Sequence, residues 1–140
     1  MGKNKDNSDN GMTSVPCNHP NWTHDVQEKQ LGDAQTFLSL YGDKDAETYG
    51  KDFQDNADDI CHYRANDILR AAKLPLQPVN DPDVTRHIAE MKGGQKLHPV
   101  LLVRGKLGKR PLVIADGYHR VCAGFYDDPN QDIPCVAIDA

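Results

Sequence analysis

The chain has 140 residues, with 16 Lys and Arg against 21 Asp and Glu, a formal net charge of −5 and 38% hydrophobic residues. That length suits one hydrophobic core, and no apolar run approaches the roughly 20 residues of a membrane span, which excludes a membrane partner. Residues 1–62 carry five Lys and no Arg against twelve Asp and Glu, while residues 63–140 carry eleven basic against nine acidic residues. The acidic half repels phosphate, so charge does not favour non-specific DNA binding by the whole chain.

Residues 1–20 (MGKNKDNSDNGMTSVPCNHP) are nearly free of large apolar groups. They cannot bury enough surface to offset the entropy of ordering, and the expectation is a disordered tail. This start also lacks the apolar core of a secretory signal, so the expected location is cytoplasmic. The four cysteines (Cys17, Cys61, Cys122 and Cys135) form no CxxC pair, which argues against a disulfide framework or a structural zinc site. Cys17-x-His19 with His24 raises the question of a metal site, but the spacing matches no strong pattern. Residues 21–63 read as a helical extension. Phe37, Leu38, Leu40 and Tyr41 cluster, and Tyr49, Phe53, Ala57 and Ile60 recur at helical spacing. The stretch DKDAET has Thr48 where a calcium loop needs glycine, so that reading is set aside.

From residue 64 the signals sharpen. Ile68, Leu69, Ala71 and Ala72 mark a helix that Pro75 and Pro78 stop. The spacing then predicts a helix capped by Asp81, with Pro82 in its first turn and Gly93-Gly94 ending it. PVLLV (99–103) and PLVIA (111–115) read as strands joined by the basic loop RGKLGKR. A helix of about eight residues is expected from His119, and IPCVAID (133–139) is a last strand. The class is therefore α+β (or α/β), a small mixed sheet with helices.

The chemistry concentrates in IADGYHRVCAG (114–124). A strand ending at Ala115 reaches Gly117, whose freedom in φ permits a sharp turn and close approach of a ligand. The next amide N–H groups open a helix and lack intrahelical acceptors, so they form an anion site with the positive end of the helix dipole behind them. Arg120 is suited to forked contact with phosphate oxygens, and His119 can donate to an anion or take a proton. Asp116 has three candidate roles: to cap the helix, to hold a metal ion bound to phosphates, or to orient His119. At 100° per residue Val121, Cys122 and Phe125 fall beside Tyr118 on the core side, and His119 and Arg120 point away from it.

These residues, with DPDVTRHIAEMKGGQKLHPVLLV before them, resemble the ParB/sulfiredoxin superfamily of small nucleotide-binding domains over residues 64–140. The resemblance rests on a glycine-ended helix, a strand beginning Pro-Val, a second strand, and the turn Gly117-Tyr118-His119-Arg120. It implies a ParB/sulfiredoxin-like domain binding the triphosphate of ATP or CTP with Mg²⁺. Gly117, Tyr118, His119 and Arg120 would stand at the phosphates, Asp116 and His119 would be catalytic, and Asp116 would be the carboxylate nearest the ion. Asp83 and Thr85 would approach from the preceding helix. Sulfiredoxins carry a cysteine where Tyr118 stands, and Cys122 on the core side cannot replace it, so sulfinic acid reduction is excluded. The first reading is an NTPase or small-molecule kinase that hydrolyses or transfers the terminal phosphate. The second is a DNA-binding or nuclease-type protein using Arg104, Lys106, Lys109 and Arg110. The third is a protein-interaction module meeting its partner through the acidic N-terminal half.

Overall fold

A computed structural model describes residues 21–140, so the expected disordered tail, 1–20, lies outside the described residues. In chain order the elements are helix α1 (Glu28–Leu38), a 3₁₀ turn (Ser39–Tyr41), helix α2 (Asp43–Asp55), strand β1 (Cys61–Arg64), helices α3 (Ala65–Ala72) and α4 (Pro82–Lys92), strands β2 (Val100–Val103) and β3 (Val113–Asp116), helix α5 (Tyr118–Asp127) and strand β4 (Asp132–Ile138). The described strands form one mixed sheet in the order β1-β4-β2-β3. β4 runs antiparallel to β1 and parallel to β2, and β3 is antiparallel to β2. No helix among the described residues is long and apolar enough to cross a membrane.

Strict alternation along the strands divides the core in two. Val100, Leu102, Ile114, Ile133 and Cys135 face α3, α4 and α5, joined there by Ile68, Val84, Val121 and Trp22. Leu101, Val103, Ala115, Val136 and Ile138 face the other way and are covered by Ala34, Leu38, Ala46 and Phe53 of α1 and α2. Successive side chains of a strand point to opposite faces, so a sheet apolar on both needs helices on both. The result is three layers. Cys122 and Cys135 are small core residues, and burial pushes the Cys135 thiol well above its ordinary range.

Two local expectations are corrected. Residues 61–64 form an edge strand, not the end of a helix, and α2 stops at Asp55, so Ala57 and Ile60 lie outside it. The reason is tertiary: β4 offers a free edge, and Cys61 to Arg64 register against Cys135 to Asp132. The last helix begins at Tyr118, one residue earlier than expected, and runs ten residues.

Candidate functional site

The turn after β3 is built by Gly117, which takes φ 110° and ψ 17° at the N-terminus of α5. A Cβ there would stand 2.8 Å from Arg120 Nη2 and 3.0 Å from Val100 Cγ2, so the glycine is required by space as well as by its left-handed backbone. No side chain caps α5. Asp116 therefore does not fill the first of its candidate roles.

Asp116 instead joins a polar knot at the end of the sheet. Its Oδ2 accepts from Arg120 Nη2 at 2.9 Å and from Gln30 Nε2 at 3.0 Å. The same two donors reach the Pro99 carbonyl, at 2.9 Å from Arg120 and 2.6 Å from Gln30. Both ionic side chains retain only 15% of their exposure, and Arg120 Nε is buried with no hydrogen-bond partner among the described residues. Arg120 thus does not project outward as the helical wheel expects. Because α5 starts directly after β3, a residue one turn into the helix lies back over the strand end, and the carboxylate four positions earlier holds it there. Gln30, from the acidic half, completes the knot.

His119 does open outward. Its Nε2 lies 3.9 Å from Asp81 Oδ1. Asp81 is the N-cap of α4, with Oδ1 accepting from the amides of Asp83 at 3.0 Å and Val84 at 3.1 Å. The first turns of α4 and α5 therefore meet, and Asp81, Asp83 and His119 each offer a ligand atom within 4.8 Å of the others. Asp83 also lies 3.4 Å from Arg86. Thr85 is turned away, its hydroxyl donating to the Val79 carbonyl at 2.8 Å. Tyr118 points to the other flank, where its hydroxyl donates to the Pro75 carbonyl and accepts from Gln77 Nε2 at 2.9 Å. Tyr126 donates to the Gln77 carbonyl at 2.8 Å, so the segment before α4 is strapped over α5. His87 stays inside α4 geometry, 2.7 Å from Glu90, and burial lowers its pKa despite that carboxylate.

The basic loop lies at the opposite end of the strands. β2 runs from the Pro99 end to Val103 and β3 returns from Val113 to Asp116, so four strand residues, about 13 Å, separate loop and turn. The loop is closed on itself: Lys106 N–H donates to the Arg110 carbonyl at 2.8 Å, and Arg110 N–H to the Lys106 carbonyl at 2.9 Å. With α3 it walls a cleft of about 620 Å³ over Tyr63, Ile68, Leu102 and Leu112. Arg70, Lys73, Arg104, Lys106, Lys109 and Arg110 line this cleft, six of the chain's 16 basic residues. Arg70 pairs with Asp67 and Arg104 with Asp139, whereas Lys73, Lys106, Lys109 and Arg110 form no ion pair among the described residues.

Sequence reasoning finds the turn and the basic loop but not Gln30, nor the pairing of Asp81 with His119. An isolated glutamine on a weakly amphipathic helix carries no local signal. Asp81 reads as an N-cap, and only the docking of α4 beside α5 gives it a second role. Comparison of the chain with protein-family models, with curated proteins and with solved structures gives no match.

Proposed function

We propose that the chain is a nucleoside-triphosphate-binding domain that holds the phosphates of ATP or CTP where α4 and α5 begin, and that it hydrolyses or transfers the terminal phosphate. The observation that carries the reading is the meeting of two helix N-termini around Asp81, Asp83 and His119. Helix N-termini favour anions through unsatisfied amides and the dipole; α5, whose N-cap glycine has no side chain, supplies the amides, while those of Asp83 and Val84 in α4 are already held by Asp81 and α4 adds its dipole and carboxylates. The resemblance of residues 64–140 to ParB/sulfiredoxin-like domains points to the same turn.

The roles follow from position. The amides opening α5 take phosphate oxygens, with His119 as an added donor. Arg120, whose charge is paired with Asp116, keeps the end of β3 and the turn in place through Asp116 and the Pro99 carbonyl. The donor set suits Mg²⁺ in part: Asp81 and Asp83 are hard oxygen ligands, while the imidazole of His119 suits a transition ion better. Asp83, with Asp81 beside it, would therefore hold the ion in place of Asp116, whose charge is already paired with Arg120. Bound Mg²⁺ supplies neutralisation of phosphate charge. His119 is left to position the attacking water or acceptor, with Asp81 to orient its ring.

Calorimetric titration with ATP and CTP, with and without Mg²⁺, tests the proposal on the wild type, Asp83→Asn and His119→Ala. Expected are Mg²⁺-dependent binding of one nucleotide per chain and a loss of about tenfold or more in each variant. Absence of binding by either nucleotide at millimolar concentration sinks the reading.

A second reading, a DNA-binding or nuclease-type protein, is favoured by the cleft under the basic loop, four of whose cations form no ion pair among the described residues. A duplex oligonucleotide in the same titration separates the two. Salt-sensitive binding that survives Asp83→Asn and fails in Lys106→Glu/Lys109→Glu would select it.

A further inference from the structure

The cleft between α3 and the loop 104–110 has a floor that contact with a polyanion does not use. Ile68, Leu102, Leu112 and Ala137 make that floor apolar, and Leu107 at the tip of the loop is fully exposed at the mouth. At about 620 Å³ the cleft falls within the roughly 300–1,000 Å³ of small-molecule sites. Its walls are fixed by the backbone. Leu112 N–H donates to the Ala71 carbonyl at 3.0 Å, which ties the end of α3 to the approach to β3. Gly105 lets the arms of the loop cross so closely that a Cβ there would collide with the backbone of Arg110 and Pro111.

The charge around this floor is one-sided. Against the six cations, Asp67 is the single carboxylate among the described lining residues, and Arg70 already pairs with it. In a chain of net charge −5 that is a concentrated positive field. Lys73 adds an independent sign. It ends α3 with φ 55°, the left-handed backbone that glycine usually takes at a helix end. A lysine there costs stability that glycine would not, yet it lines the cleft and forms no ion pair among the described residues.

We propose that the cleft binds a small amphipathic anion from solution, with an apolar alkyl or aryl body and one carboxylate or phosphate head. The body covers Ile68, Leu102 and Leu112, and the head meets Lys73, Lys106, Lys109 and Arg110 at the rim. Duplex DNA would engage the same rim and leave the apolar floor unfilled, so the smaller ligand accounts for more of the site. The cleft shares no residue with Asp81, Asp83 and His119, so it stands or falls independently of nucleotide binding.

Calorimetric titration of the full chain with octyl phosphate and octanoate, below their micelle-forming concentrations, tests it. Expected is saturable binding of one molecule per chain, with octanol (body alone) and inorganic phosphate (head alone) each at least about tenfold weaker. Ala71→Phe, at an exposed position of α3 that lines the cleft, should fill the space and weaken binding by about tenfold or more while leaving nucleotide titrations unchanged. Lys73→Gly relieves the left-handed backbone, so it should unfold at no lower urea concentration than the wild type and still bind the anion several-fold more weakly. A lysine with a merely structural role would give no such split. Octanol or inorganic phosphate binding as well as octyl phosphate, or octyl phosphate binding unaltered in both variants, would overturn the proposal. So would retention of the chain by a duplex oligonucleotide or by phosphatidylglycerol vesicles in place of one-to-one binding of the small anions.

Discussion

Asp116 and Arg120 show how a turn that reads as a ligand site can also be a structural joint. The pair is nearly buried, each partner at 15% exposure, and Arg120 also donates to the Pro99 carbonyl. Removing one member of such a pair leaves an uncompensated charge, which is far costlier than replacing both. Asp116→Ala should therefore lower unfolding stability by about 3–5 kcal/mol, read from urea denaturation midpoints. Asp116→Ala/Arg120→Leu should recover part of the loss. A cost under about 1 kcal/mol for the single variant would mean that water reaches Arg120 freely. The cluster at 116–120 was legible because acid, glycine, histidine and arginine follow one another in sequence. Gln30 was not, because its partner lies 86 positions away and only the docking of α1 on β3 brings them together.

Elements divide in the same manner. The helix after Asp81 was readable to within a residue, since Asp81, Pro82 and Gly93 are local signals of helix ends, and Asp81 does cap the amides of Asp83 and Val84. The strand pair around the basic loop was readable from two apolar runs. β1 was not: four residues in which His62 and Arg64 alternate with Cys61 and Tyr63 are too few to outweigh the helical spacing before them. α1 and α2 carry little propensity of their own, and their place depends on apolar side chains meeting the second face of the sheet. Phe53 is the largest of these, fully buried against Leu101, Val136 and their neighbours. Phe53→Ala should cost about 3–5 kcal/mol in thermal or urea unfolding, as expected for a buried phenylalanine that leaves a cavity. A small loss would place α2 only loosely on the sheet.

For the molecule as a whole, charge and fold are distributed differently. The acidic residues concentrate before residue 63, yet that same half supplies the cover for one sheet face, the edge strand, Trp22 of the main core and Gln30 of the polar knot. Residues 64–140 by themselves would expose Leu101, Val103, Ala115, Val136 and Ile138 together. Such an apolar sheet face needs a partner. A fragment of 64–140 should therefore bind hydrophobic dyes, aggregate and unfold without a cooperative transition, whereas 21–140 should melt cooperatively. Cooperative melting of the shorter fragment would show that the first 63 residues are an appendage. The six cations of the cleft lie at the end of the strands opposite the Gly117 turn, so anions meeting the two places can be told apart by variants at each.

The sequence alone determined what depends on near neighbours. It set the helix caps, the apolar runs of the strands, the need for glycine at 117 and the gathering of Asp116, His119 and Arg120 around it, because each is a matter of local backbone geometry and side-chain chemistry. Tertiary structure decided what depends on distant segments meeting. It turned Arg120 inward, paired Asp81 with His119, set α3 against the basic loop and made the acidic half part of the core. Such meetings are set by which faces must be buried against each other, and burial is a property of the packed chain that no short window of residues contains.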